Sequence, residues 1–453
     1  MELSTSAPSR ALATWAASVQ PDAIPAPVRE RAAHLLLDAV ASALAGRHAS
    51  ETGQVEAVAR QLAPGSEATA FAGGRSSRLG ATLLNGYLIT GLTVCDVYRP
   101  NHVHVTPEVV PPALATAEGR GVSGRQLITA IAVGLEVTVR VARGIDYPTF
   151  RGRGWHSPGV IGPFGGAAAA GRILGLDAER MLMAIGLAGS QSAGTFAQWG
   201  TPSVKFHQAN GAVSGLLAAT TAAQGFRSAE EILANPDGGI FSAYAGGGDP
   251  AAVVADLGTE WELLRISMRL WPTASLIQAV VSAIFDLIAE HDLRPDQVER
   301  MTIGLEGSTH RMHADMGWED RFRALLSSRY AASVVLHDRE CWLEQFEPGR
   351  LADPVLGAFA ADRITTVVDD SLPTTGATVE VLLRDGSRHS VRREVPKGDA
   401  DDPLSTDELV GKFRRAATGI VADDRADRLL ELLLGVEDLP DTDTLMEAAG
   451  APD

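Results

Sequence analysis

Residues 151–171 read RGRGWHSPGVIGPFGGAAAAG, and the reading of this stretch decides the fold. From about Gly165 onward, GGAAAAGRILGL predicts a helix packed deep inside a larger body, because residues this small let backbones approach closely. A single histidine, His156, stands just ahead of it among Gly152, Gly154, Pro158, Gly159, Gly162 and Pro163. A histidine so placed faces a helix start, where unpaired backbone N–H groups attract anions. On these residues alone it is either a satisfied core histidine or an active-site group.

Two further segments repeat the arrangement. Residues 196–225, FAQWGTPSVKFHQANGAVSGLLAATTAAQG, set Trp199, Lys205 and His207 ahead of another small-residue helix. Lys205 is conspicuous: of 39 basic residues only Lys205, Lys397 and Lys412 are lysines, and a buried lysine can titrate where an arginine cannot. Residues 95–112, CDVYRPNHVHVTPEVVPP, form an irregular stretch carrying Asp96, Arg99, His102 and His104, with a helix expected from about Pro111, proline in its first turn. Two histidines at i and i+2 of an extended chain point to opposite sides, so at most one of them faces a given pocket.

A chain of 453 residues is long enough for more than one domain. Hydrophobic residues make up 45% of it, aromatics only 5%, and 46 glycines with abundant alanine favour closely packed helices over sheets. A net charge of −17 excludes a typical nucleic-acid binder and requires any anionic substrate to be held by a local cluster of Arg, Lys or His. Two cysteines, Cys95 and Cys341, exclude a disulfide framework, a Cys₄ zinc site and a self-supplied iron–sulfur cluster. There is no basic, apolar leader and no uncharged apolar run of about 18 residues, so the expectation is a cytoplasmic protein without a membrane partner.

Helical periodicity covers residues 9–20, 27–46, 54–62, 80–89, 123–143 and 177–193. Near Leu263 the composition changes. SLIQAVVSAIFDLIAEH reads as a helix, VERMTIGLEG as a strand, and ATVEVLLRDGSRHSVRREV as a hairpin whose Asp385-Gly386 pair favours a type I′ turn. Helices around 324–336, holding Tyr330, and 354–361 lie between, so this stretch reads as a separate α+β domain. Helices return at 406–417 and 423–434, and the acidic tail from Glu437 is expected to be loose. The expected fold is mainly α: helical domain 1–265, α+β domain 266–400, and a return to the helical domain over 401–453.

No G-x-x-x-x-G-K-[ST], strand-borne G-x-G-x-x-G or G-x-S-x-G motif is present. HVH at 102–104 lacks a spaced third metal ligand. Metal-free acid–base chemistry by histidine, lysine, aspartate and tyrosine is what remains, with no metal and no cofactor expected.

LLLDAVASALAG, Asn85-Gly86, VVPPALATAEGRGVSG, GWHSPGVIGPFGGAAAAGRILGL, the KFH stretch leading to GLLAA, and GDADDPLSTDELVGKF together resemble the MmgE/PrpD family. That family includes methylcitrate dehydratase, cis-aconitate decarboxylase and iminodisuccinate epimerase. The resemblance implies a large all-helical domain, a smaller inserted α+β lid, an active site in the cleft and a homodimer. It places family histidines on His104 and His156, its lysine on Lys205 and its lid tyrosine on Tyr330. His207 matches the histidine after that lysine. Of the family's aspartate-rich run only Asp96 remains, its first acid being Thr93, and its lid lysine is replaced by Arg269. The candidate catalytic residues are therefore His104, His156, Lys205, Tyr330 and Asp96. Candidate substrate contacts are His102, Thr93, Arg269, His207 and Trp199. The function this implies is a cofactor-independent lyase of the dehydratase type, removing a proton next to a carboxylate of a small anionic polycarboxylate. The alternatives are epimerisation, decarboxylation or a repurposed site.

Overall fold

The computed structural model describes residues 7–451. With 59% helix and 10% strand it is a mainly α protein. The chain divides into two compact units: residues up to Ser267 together with those from Ser405 onward, and Met268–Leu404.

The first unit is helical. Its leading helices are α1 (Pro8–Ser18), α2 (Ala26–Gly46), α3 (Thr52–Leu62), α4 (Arg78–Thr90), α5 (Thr106–Ala117), α6 (Gly124–Arg143), α7 (Tyr147–Gly152), α8 (Ser157–Ile173), α9 (Ala178–Ser190) and α10 (Ser203–Ala223). After the second unit the chain returns to it with helices Thr406–Ala417, Asp423–Leu434 and Asp443–Ala449. α8 is the centre, buried at every residue from Ser157 to Gly171 and packed against α5, α6, α9 and α10. It begins eight residues before the expected Gly165. Pro158 supplies a preset φ in the first turn, and packing on all sides overrides the low helix propensity of Gly159 and Gly162.

α5 also starts earlier than expected, so Pro111 and Pro112 lie inside it and Pro107 takes the first turn. Prolines at 111 and 112 leave the carbonyls of Pro107 and Glu108 without their helical N–H partners. Glycines of neighbouring helices approach both: an added Cβ would lie 3.2 Å from Pro107 O at Gly86 and 2.7 Å from Glu108 O at Gly166. Close backbone packing thus covers the two freed carbonyls. Lys205 and His207, expected ahead of a helix, lie within its first two turns. The C-terminal tail is not loose. Helix Asp443–Ala449 buries Leu445, Met446 and Ala449, and Ala449 O accepts from Ala72 N–H at 2.7 Å.

The second unit holds a four-stranded sheet in the order Ile364–Val368, Val298–Leu305, Ala377–Leu383, Arg388–Arg393. The first pair is parallel and the others antiparallel. Helices Ser328–Asp338 and Pro354–Asp362 lie in the connection between the parallel strands, as a parallel pair requires. The hairpin differs from the expected type I′ turn. Only Gly386 has positive φ (+87°), and the loop closes on Leu383 and Ser387, whose side of the turn Asp385 fixes by accepting from Ser387 N–H at 2.9 Å. A type I turn followed by a left-handed glycine does the same work while leaving Asp385 unstrained. Among the described residues no helix is long and apolar enough to cross a membrane.

Candidate active site

In the first unit the sequence candidates lie at or ahead of the N-terminal ends of α5, α8 and α10, and the structure brings two of them, His156 and His207, into contact. Asp96 is fully buried and caps α5: its carboxylate accepts from Val105 N–H at 2.9 Å, Thr106 N–H at 3.1 Å and the Thr106 hydroxyl. Burial pushes its pKa up to about 6, against the pull of these hydrogen bonds. Both oxygens therefore serve the helix start, and the residue holds the site in shape. His104 follows from it. Its Nδ1 lies 2.6 Å from the Asp96 carbonyl oxygen, which can only accept, so Nδ1 carries the hydrogen and Nε2 is the nitrogen left to exchange a proton.

Thr93 stands in the left-handed region (φ +56°) and turns its hydroxyl to Leu92 O at 2.7 Å. His102 is left-handed too (φ +47°), closing a short 3₁₀ turn, so the extended i, i+2 geometry expected for His102 and His104 does not hold. Its ring packs 5.4 Å from that of Tyr147.

His156 occupies the N-cap position of α8, and Ser157 Oγ donates to Asn101 O at 2.7 Å, tying this helix start to the loop that enters α5. His156 Nδ1 lies 3.0 Å from His207 Nδ1. Burial first, then His207 and Arg151, push the His156 imidazole down to about 3, and burial lowers His207 as well. Both rings are neutral at physiological pH. The Phe196 ring touches His156 edge-on at 6.0 Å, stacks on Trp199 at 5.2 Å, and carries the Arg151 guanidinium 3.3 Å from its centroid. Lys205, only 4% exposed, donates from Nζ to Thr90 O at 3.0 Å, joining α10 to the end of α4.

One residue at this junction escaped the sequence reading. Glu108, in the first turn of α5, is fully buried, and among the described residues neither carboxyl oxygen has a hydrogen-bond partner. It lies between α8 and α10: an added Cβ would be 2.3 Å from Glu108 Cγ at Gly162 and 3.1 Å at Gly211. Burial, then the nearby Asp96 and Cys95, raises its pKa well above the ordinary value, so the carboxyl is held protonated. The available signal was a lone acid in the apolar run TPEVVPP, where a charge has no solvated face. Lys412 is buried in an ion pair with Asp38 at 2.5 Å and donates to Val94 O at 2.7 Å, which pins the segment before Asp96.

Arg269 and Tyr330 belong to the second unit. Arg269 is buried there, and its guanidinium donates to Thr273 O at 3.4 Å. Tyr330 donates its hydroxyl hydrogen to Gln345 O at 2.8 Å and packs on Trp318 and Phe346. Burial raises its phenol above the usual value. Among the described residues no group of three or more His, Cys, Asp or Glu is placed to hold a metal ion.

The class defined here is a mainly α protein that offers imidazole, ammonium and carboxyl groups at helix starts. Residues 10–252 match the MmgE/PrpD N-terminal domain and residues 271–438 the MmgE/PrpD C-terminal domain. The chain belongs to the MmgE/PrpD family and is an enzyme of that type. It is 28% identical to a cis-aconitate decarboxylase-like protein, oryM, of Aspergillus oryzae, over 96% of this chain and 95% of the relative. It is 26% identical to a cis-aconitate decarboxylase of Aspergillus terreus, covering 97% and 95%. It is 25% identical to the cis-aconitate decarboxylase of Homo sapiens, covering 82% and 79%.

Proposed function

We propose that this chain is a decarboxylase of a small unsaturated tricarboxylate of the cis-aconitate class, working without a cofactor. The observation that carries the reading is the end-to-end likeness to cis-aconitate decarboxylases. It favours loss of carbon dioxide, an alternative in the family resemblance, over the loss of water that the resemblance put first.

The chemistry at the helix starts fits. Decarboxylation breaks a carbon–carbon bond, leaves the electron pair on carbon, and needs one proton there for each carbon dioxide released. Lys205 and the N-terminal ends of α5, α8 and α10 supply the positive potential for the substrate carboxylates. The imidazoles of His104 and His156 supply the proton-handling groups; His156 is neutral at rest, and an arriving carboxylate raises its basicity. Asp96 positions His104. Arg269 is the proposed carboxylate clamp from the second unit and Tyr330, once its hydroxyl turns from Gln345 O, the proposed hydroxyl donor; Thr93, His102 and Trp199 are the remaining substrate contacts, and His207 acts on the substrate only through His156. A homodimer is the proposed assembly, checked by light scattering of the purified chain.

Incubation with cis-aconitate in deuterium oxide, followed by proton NMR and carbon dioxide detection, tests the function. Release of carbon dioxide with one deuterium retained in the product is expected. No carbon dioxide, together with dehydration of a hydroxy-tricarboxylate such as citrate or methylcitrate, overturns it.

A further inference from the structure

We propose that His207 relays solvent protons to His156, so that the two imidazoles form one proton wire feeding the carbon that loses carbon dioxide. This rests on the decarboxylase reading above. With the two Nδ1 atoms 3.0 Å apart, one must carry hydrogen and the other accept it, since two bare nitrogens or two N–H groups would repel. A neutral imidazole has a single N–H. The ring that donates through Nδ1 therefore presents a bare Nε2, and the ring that accepts presents an Nε2–H. The pair always offers one proton acceptor and one proton donor at its outer nitrogens.

Burial sets the direction. His156 is 8% exposed at the N-cap position of α8, whereas His207 is only half-buried, which makes His207 the solvent end. A proton from water forms a bond to His207 Nε2. The His207 Nδ1 hydrogen passes to His156 Nδ1, and the His156 Nε2 hydrogen leaves for the substrate carbon. Each ring gains one N–H bond and loses one, so no charge is stranded in the buried pair. The pair resets only after product leaves and water again reaches the site: water protonates His156 Nε2, the Nδ1 hydrogen returns to His207, and the proton that His207 Nε2 releases to solvent neutralises the hydroxide left in the site, so the wire delivers its proton while bound substrate keeps water from the carbon.

The backbone is shaped for the second ring. Gly194 has φ +136°, and an added Cβ there would lie 3.1 Å from His207 Cγ and Nδ1. Opposite, an added Cβ on Gly159 would lie 3.2 Å from His207 Cβ. The charged group facing the pair is Arg151, whose guanidinium lies over the Phe196 ring that touches His156. It opposes a resting positive charge and favours a wire that is neutral until it is used.

His207→Asn and His207→Phe in the full chain, assayed with cis-aconitate, test the relay. Asn can still hydrogen-bond His156 Nδ1 and fix its tautomer, but it cannot accept a proton on one atom and release it from another. The relay therefore expects both variants to lose about tenfold to a hundredfold in kcat with KM nearly unchanged, and added imidazole to restore part of the loss. His207→Asn at wild-type kcat overturns it. If neither variant folds, the wild type decides through ¹⁵N-histidine NMR: complementary tautomers for His156 and His207 are expected, and the same tautomer in both overturns the relay. Wild-type protein that releases no carbon dioxide overturns the decarboxylase reading instead, and the tautomers alone then judge the pair.

Discussion

Glu108 and Gly162 are a lock and its recess: a Cβ on Gly162 would lie 2.3 Å from Glu108 Cγ, inside any permitted contact. Gly162→Ala is therefore expected to displace the Glu108 side chain and α5 with it, costing about 1–3 kcal/mol. Adding Glu108→Ala should recover part of that loss, because the clash partner is gone. Urea unfolding of the two single variants and the double variant measures the coupling, and strictly additive losses would contradict the contact.

The protonated state of Glu108 gives stability a pH dependence of known sign. The folded acid titrates well above its ordinary value of 4.5, so the folded state holds the proton more tightly than the unfolded chain. That contribution is complete below pH 4.5 and is lost as pH rises toward the folded titration point, at about 1.4 kcal/mol per pH unit across that window. Glu108→Gln should remove this slope, so its Tm should gain on the wild type more at pH 8 than at pH 5. An equal difference at both pH values would show that the carboxyl is ionised in the fold.

His156 acts in the opposite direction. Its folded titration point lies near 3 and its ordinary value is 6.5, so it is neutral in the fold and binds a proton readily once unfolded. Stability is complete above pH 6.5 and falls as pH drops toward 3. His313 in the second unit, pushed down to about 4 by burial, adds a loss of the same sign. His156→Asn should flatten the decline between pH 6 and pH 4 by up to about 1.4 kcal/mol per unit. Denaturant titrations at several pH values measure it, and an unchanged decline would place the acid sensitivity elsewhere.

Where one element follows from local chemistry, the sequence was enough. Ser405 with Glu408 forms a capping box at the start of Thr406–Ala417, and that helix lies where its periodicity put it. Residues governed by packing were harder to read. The starts of α5 and α8 were misplaced because Pro111, Pro112 and Gly162 look like helix breakers until neighbouring helices are seen to need them. The Asp385-Gly386 turn was recognisable but not its type, which depends on loop length in the folded hairpin. At the site, His104, His156, Lys205 and His207 were visible as polar residues ahead of small-residue helices. The Nδ1–Nδ1 contact between His156 and His207 was not, since it joins residues 51 apart. Glu108 was missed because burial, rather than residue type, gives it its character.

Asp96 is expected to matter through α5. Asp96→Ala removes an acceptor from two backbone N–H groups and the Thr106 hydroxyl at once. The loss of the cap should cost about 1–3 kcal/mol, and Asp96→Asn should cost less because one amide oxygen still accepts. Thermal unfolding of the two variants ranks them. If Asp96→Asn were the more damaging, ionisation of Asp96 rather than capping would be what the fold requires.

Lys205 provides the sharpest distinction between a retained lysine and a functional one. It is the only lysine before Lys397 in a chain that otherwise uses arginine, and it is buried with Nζ 3.0 Å from Thr90 O. An ammonium is compact, whereas a guanidinium is larger, planar and needs its donors met in a fixed fork. Lys205→Arg keeps the charge but not the shape, and Lys205→Met keeps the stem but not the charge. If Lys205 holds a substrate carboxylate from the start of α10, both variants should lose about a hundredfold in kcat/KM, roughly 2.7 kcal/mol. Methionine should keep more of the fold than arginine, since it places no unmet donors beside Thr90. Steady-state kinetics with cis-aconitate and thermal unfolding, run on the same preparations, separate the two effects. A Lys205→Arg enzyme with wild-type kcat/KM would mean that position 205 needs only a positive charge, and the identity of the lysine would carry no chemistry.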